Sequence, residues 1–173
     1  MGQIHYPRAV QLFCGLLSPV EFMDCVNERV EAVWGPVQGR SEAHPFHYSD
    51  YYADELGHEL MRWFVVFQKR IDQSDIREIK LQSNKIELSG AVEGKRRYNV
   101  DPGFIDLDKV VLATTKPATY RIYLGDGIFA QSTLFFKDAH FHPWSWTYAD
   151  YRDDWTILFF EKIRSEFKTG MKR

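Results

Sequence analysis

Apolar residues along the chain fall into two kinds of run. Ala9–Leu17 (AVQLFCGLL), Trp63–Phe67 (WFVVF) and Lys109–Thr114 (KVVLAT) are short and nearly unbroken, as suits strands covered on both faces. Phe22, Val26, Val30 and Val33 instead recur at helical spacing, as do Trp155, Leu158, Phe159, Ile163 and Phe167 within a helix predicted over Asp153–Lys168. Between the first strand and the first helix, Ser18-Pro19-Val20-Glu21 offers an N-cap, a proline at the first helical position and a capping-box glutamate. Gly35-Pro36 then ends that helix. Gly125-Asp126-Gly127 predicts a hairpin between strands Arg121–Leu124 and Ile128–Phe136, and Asp101-Pro102-Gly103 reads as a turn. Residues 37–59 read as irregular, with one short strand near Phe46–Ser49.

Residues 75–100 support two readings. Ile76 and Ile79 predict a helix over Asp75–Leu88, but Lys85-Ile86-Glu87-Leu88 also alternates with period two. That alternation allows a hairpin through Gly90 and Gly94 into Arg97–Val100. The element order predicts an α+β fold in one domain over residues 1–173. Its sheet is expected to be mixed but largely antiparallel, with a ferredoxin-like β-α-β-β-α-β half followed by a hairpin and a terminal helix.

Composition narrows the function classes. Of 173 residues, 45% are hydrophobic and 16% aromatic, enough for a packed core, so disorder is not expected. Lys and Arg total 22 against 24 Asp and Glu, a net charge of -2 that creates no global pull toward nucleic acid or anionic lipid. The amino terminus lacks the apolar stretch of a signal peptide, and no run is long enough to span a bilayer, so a cytoplasmic protein is expected. Cys14 and Cys25 match no metal or redox spacing and are expected to be buried thiols.

Candidate chemistry lies in polar residues placed among apolar ones. On a helix over residues 75–88, Lys80, Asn84 and Glu87 share one face. Arg97, Asn99 and Asp101 alternate onto one side of the strand that follows. Lys116 and Arg121 stand at strand ends, and Lys80, Arg97, Lys116 and Arg121 together would suit a phosphate or carboxylate. Glu55, Glu87, Asp101 and Asp150 could give oxygens to Mg²⁺. Glu87 and Asp101 are the candidates both for metal binding and for acid/base work. Tyr148, Tyr151 and Arg152, in WSWTYADYR, combine aromatic faces with a guanidinium, as a stacking site would, and FHYSDYY could form an opposing wall. His140 and His142 share a strand face and could join His44, His47 or His58 at a transition metal.

Six strings carry a resemblance that spans nearly the whole chain. They are FHYSDYYADELG (Phe46–Gly57), IKLQSNKIE (Ile79–Glu87), KRRYNVDPGF (Lys95–Phe104), VVLATTK (Val110–Lys116), RIYLGDGIFAQSTL (Arg121–Leu134) and WTYADYR (Trp146–Arg152). By these the chain resembles the bacterial domain-of-unknown-function family 4416, whose members sometimes carry a GTP-binding label. It departs from the family pattern at Tyr120, Gln131 and Ala149, where His, Glu and Pro are usual. The residues give the GTP label little support. Gly90-Ala91-Val92-Glu93-Gly94-Lys95-Arg96 is one residue short of a phosphate loop and lacks its hydroxyl, and Asn84-Lys85-Ile86-Glu87 ends in Glu where a guanine-reading motif has Asp.

Two functions are therefore expected. The first is a site for a phosphorylated small molecule or nucleotide, with Mg²⁺ as the compatible cofactor. The second is a non-catalytic RNA- or protein-binding module that uses the aromatic and basic surface. No Ser-His-Asp or Cys-His arrangement marks a reaction.

Overall fold

A computed structural model of the chain describes residues 2–170. Its nine strands are β1 (Val10–Ser18), β2 (Val37–Arg40), β3 (His44–Pro45), β4 (Met61–Ile71), β5 (Asn99–Ile105), β6 (Lys109–Thr114), β7 (Ile122–Gly125), β8 (Ile128–Lys137) and β9 (His140–Pro143). The helices are α1 (Met23–Trp34), α2 (Ala53–Leu56), α3 (Ile76–Ser89) and α4 (Asp154–Gly170). All strands join one sheet in the order β2-β4-β1-β5-β6-β8-β7, with β3 added on β4 and β9 on β8.

β1 reads as an unbroken apolar run because it lies mid-sheet with both faces covered. Leu12, Cys14 and Leu16 point to one face, where they meet Val26 and Val30 of α1 and Ile79 and Ile86 of α3. Phe13 points to the other face and packs with Phe64 and with Phe160 and Ile163 of α4. A smaller cluster of Leu17, Leu56 and Leu60 underlies the segment from Phe46 to Tyr52.

Several expectations are corrected. Every described pairing is antiparallel, so the sheet is not mixed. The first four strands across the sheet run β2-β4-β1-β5, each pair antiparallel, and α1 and α3 both pack on the face that carries Leu12 and Leu16. Residues 76–89 are helical, which removes the hairpin alternative and leaves only an isolated bridge between Val92 and Lys95. Ser18 does not cap α1: its hydroxyl donates to the Pro19 carbonyl, and a 3-10 turn at Val20–Phe22 intervenes. The short strand lies at His44–Pro45 rather than Phe46–Ser49, and β2 adds a second one within the segment expected to be irregular. In α4, Phe160 faces the core while Leu158 is 63% exposed. Cys14 is buried, but Cys25 is only partly so and accepts from Arg29 Nε at 3.3 Å.

Asp101-Pro102-Gly103 is not a turn but the middle of β5. β5 pairs with β1 from Asn99 to Ile105, yet with β6 only over Gly103–Ile105. Beyond Leu112, β6 stays on β8 as far as Thr114. The two strands thus part, and the sheet opens between Asn99–Pro102 on one side and Ala113–Thr114 on the other. Gly103 stands where they are closest, with its Cα hydrogens pressed on the Val111 carbonyl and the Phe13 ring, where no Cβ would fit. Among the described residues no helix is long and apolar enough to cross a membrane.

Candidate functional site: a cleft where the sheet opens

The gap between β5 and β6 leads into a cleft of about 430 Å³, within the usual range of ~300–1,000 Å³ for small-molecule sites. Parting the strands exposes backbone groups of β5 that must find partners. α3 supplies them. Glu87 Oε1 accepts from Val100 N–H at 2.6 Å, and Lys80 Nζ donates to the Val100 carbonyl at 3.1 Å. By strand alternation Pro102 faces the same way as Val100, and it has no N–H to satisfy. The helical spacing of Lys80 and Glu87 therefore places two buried charges where the sheet lacks a strand.

These charges are matched locally. Lys80 lies 3.5 Å from Asp101 Oδ1, and Asn99 Nδ2 donates to Asp101 Oδ2 at 2.6 Å. Arg96 donates to Glu87 Oε2 at 2.9 Å and to Asn99 Oδ1 at 3.1 Å, and clasps both oxygens of Glu55 at 2.6 Å. Burial pushes the Glu87 carboxyl above its ordinary range, opposed by Lys80 and by the Val100 N–H. The side-chain hydrogen bond from Arg96 moves Glu55 the other way, below its ordinary value.

The opposite part of the lining comes from β4, β8 and the turn Ala149–Tyr151 before α4. Arg62 and Asp150 are both buried, and Arg62 Nε donates to Asp150 Oδ2 at 2.7 Å. Arg62 Nη2 stands 3.8 Å from Asp101 Oδ2. Burial is the largest influence and works against the Arg62 charge, but Asp150, Tyr151, Asp101 and Tyr52 together outweigh it and keep the guanidinium protonated. Gln131 accepts at Oε1 from Arg121 Nε at 2.9 Å. Because the arginine can only donate, this contact turns the Gln131 amide nitrogen the other way.

Three buried side-chain atoms without a hydrogen-bond partner among the described residues are Arg62 Nη1, Gln131 Nε2 and Tyr151 Oη. All three residues line this cleft. Burial pushes the Tyr151 hydroxyl well above its ordinary pKa, so it stays a phenol able to donate. Gly15 of β1 makes the arrangement possible. A Cβ there would stand 2.9 Å from Tyr151 Oη and 3.1 Å from Arg62 Nη1.

The mouth is aromatic. Phe46, Tyr48, Tyr51 and Tyr52 line it from the segment before α2, and Tyr148 lines it from the segment before α4. Tyr48 bonds Asp153, and the Lys116 ammonium sits 3.8 Å from the Tyr51 ring centre. Arg121 donates to the Tyr148 hydroxyl at 2.7 Å and to the Lys116 carbonyl at 2.6 Å, which ties the rim together.

Most of the polar residues singled out from the sequence thus converge. Lys80, Asn84, Glu87, Asn99, Asp101 and Lys116 line the cleft, as do Tyr148, Asp150 and Tyr151. Glu55 and Arg121 brace its rim through Arg96 and Gln131. Two candidates lie apart. Arg97 precedes β5 instead of alternating within it, and its guanidinium covers the Phe22 ring, 5.1 Å from the centre. Arg152 donates to the carbonyls of Trp144, Ser145 and Thr147, and so fastens its own loop.

The metal assignments are not supported. Among the described residues no group of three or more His, Cys, Asp or Glu could hold a metal ion. Glu87 and Asp101 direct their oxygens to Arg96, Lys80, Asn99 and a backbone N–H. His140 instead meets Glu161 at 3.2 Å, His142 meets the Lys137 carbonyl at 3.0 Å, and His44 stacks on Trp155.

The family described as Domain of unknown function (DUF4416) matches residues 8–167. The chain belongs to the DUF4416 family. The match takes in every element that builds the cleft, from β1 through the core-facing part of α4. No curated protein and no solved structure matches this DUF4416 chain. Of the three positions noted with the resemblance, Gln131 and Ala149 line the cleft, whereas Tyr120 lies outside its lining. Gln131 presents an amide to Arg121, and Tyr120 stacks on Trp146 with ring centres 5.1 Å apart. Trp146 in turn stacks on Trp144 at 5.1 Å, so this ladder spends ring faces on its own members. Sequence reasoning missed Arg62 and the anchoring role of Arg96; it named Gln131 only as a departure from the resembled family and Tyr52 only within FHYSDYY.

Proposed function

We propose that the cleft binds a phosphorylated small molecule of nucleotide size. The observation that carries this reading is the coincidence of three buried groups without a partner among the described residues, Arg62 Nη1, Gln131 Nε2 and Tyr151 Oη, on residues that line one cleft. A buried donor left without a partner costs about 1–3 kcal/mol, so three on the lining of one cleft support a site completed by something outside the chain. A ligand bearing acceptor atoms completes it. The Lys116 ammonium at the mouth, beside the Tyr51 ring, suits a phosphate, and the flanking aromatic side chains suit a flat ring.

In this reading Lys80 and Glu87 hold the sheet open, and the ligand meets the opposite wall. Mg²⁺ is not required, because Glu87 and Asp101 are already engaged by cations and N–H groups. The test is thermal melting against a panel of nucleotides, sugar phosphates and carboxylates, with and without Mg²⁺. Ligand at a hundred times its dissociation constant adds about 2.7 kcal/mol of stability. A saturable rise with a phosphorylated compound in the absence of Mg²⁺ is expected. A rise confined to unphosphorylated carboxylates, or a flat panel, contradicts the reading.

A further inference from the structure

The inner wall of the cleft is electrically balanced. Arg62 is matched by Asp150 at 2.7 Å, and Lys80 by Asp101 at 3.5 Å, with Asp101 also 3.8 Å from Arg62. A phosphate pushed against Arg62 Nη1 would bring buried negative charge that no spare cation there offsets. A neutral group meets no such cost. The unpartnered atoms ask for acceptors: Arg62 Nη1 and Gln131 Nε2 can only donate, and the Tyr151 hydroxyl donates readily. Among them Asp101 keeps a quarter of its side chain exposed, and Oδ1 has only the long contact with Lys80, so it can accept an N–H. Three spare donors and one available acceptor on residues that line the same cleft are the complement of a ring that carries carbonyl oxygens beside an N–H. The mouth differs. Lys116 is exposed, and its ammonium contacts an aromatic ring.

We infer that the cleft takes its ligand ring-first: a neutral, carbonyl-bearing heterocycle of the uracil or hypoxanthine type enters toward Arg62, Gln131 and Tyr151, and the phosphate remains outside at Lys116. This inference rests on the ligand-binding reading above and gives it a direction and a ring chemistry. An amino group in place of the ring carbonyl would face Arg62 or Gln131 donor to donor, so the site discriminates against the amino counterparts.

Isothermal titration of the full chain with two matched pairs tests it: uridine against cytidine 5′-monophosphate, and inosine against adenosine 5′-monophosphate, with uridine, inosine and ribose 5-phosphate alongside. The carbonyl-bearing member of at least one pair is expected to bind ten-fold or more tighter than its amino counterpart. Removing its phosphate should weaken binding, and Lys116→Ala should abolish that increment while leaving nucleoside affinity unchanged. Tyr151→Phe should weaken the nucleoside and keep the Lys116-dependent increment. Ribose 5-phosphate binding as tightly as the nucleotides, or an amino member binding as well as its carbonyl counterpart, would overturn the ring-first orientation and leave the phosphorylated-ligand reading standing. Absence of binding by all seven compounds would overturn this inference, and a flat melting panel beside it would remove the broader reading as well.

Discussion

The two walls of the cleft bury similar chemistry and finish it differently. On the α3 side, Lys80 and Glu87 each meet a backbone group of Val100 and a charged partner, so the polar atoms there complete the architecture. On the side of β4, β8 and the turn before α4, Arg62, Gln131 and Tyr151 are equally buried, yet each leaves one polar atom without a partner among the described residues. Burial of a charge is therefore no guide to function by itself. The α3 charges repair a sheet whose strands part, whereas in the proposed function the groups opposite are completed by a ligand. The distinction would be invisible in a catalogue of residue types, because each wall contains a cation and a neutral amide or hydroxyl.

The comparison can be broken most forcefully at Arg62. Replacing it with Met leaves Asp150 buried without its cation, and a loss of about 3–5 kcal/mol is expected in urea unfolding. On the α3 wall, Glu87→Leu orphans the Val100 N–H and removes one partner of Arg96, for a loss of about 1–3 kcal/mol by the same measurement. Glu87→Gln keeps an acceptor for Val100 and is milder.

The two carboxylates that Arg96 contacts should respond to pH in opposite directions. Burial raises the Glu87 pKa, so the stability linked to its titration is fully present below the unfolded-chain value of ~4.3 and is lost as pH rises through the folded value. The hydrogen bond from Arg96 lowers that of Glu55, so its contribution is present above ~4.3 and is lost as pH falls through the folded value. Unfolding curves at a series of pH values should therefore show Glu87→Gln gaining on the parent protein as pH rises. The advantage of the parent over Glu55→Gln should shrink as pH falls.

Gly15→Ala sharpens the comparison from the unfilled side. Its Cβ would crowd Tyr151 Oη and Arg62 Nη1, costing about 1–3 kcal/mol by overpacking and displacing the two groups that the proposed function assigns to the ligand. Melting shifts with the bound nucleotide should shrink more in this variant than its stability loss alone explains. Lys116→Ala should change stability by only ~0.5 kcal/mol, since it removes one exposed cation–π contact.

How much of this was legible beforehand depends on the range of each interaction. The face shared by Lys80, Asn84 and Glu87 follows from the 3.6-residue helical period alone, and the hairpin at Gly125-Asp126-Gly127 from the positive φ angles that all three residues adopt. Asp101-Pro102-Gly103 misled because Pro and Gly are local turn signals. Here their value is non-local: Pro102 lacks an N–H beside the gap, and Gly103 permits the approach of Val111. Arg62 was overlooked, and Gln131 was noted only as a departure from the resembled family, because neither forms a local motif. An arginine directly before WFVVF and a glutamine within IFAQSTLFF were the available signals, each a polar residue inside a buried strand. That these two residues line one cleft depends on strand positions 69 apart in the chain and could be seen only in three dimensions.

The central claim is that the unfilled wall is kept for a ligand rather than for the fold, and the stability of Tyr151→Phe in urea without ligand tests it most directly. A hydroxyl that has no partner contributes no hydrogen bond to lose, so the account predicts a change below ~0.5 kcal/mol or a gain in stability. A loss above about 1 kcal/mol would mean that the hydroxyl is already bonded in the folded chain, and would contradict the claim.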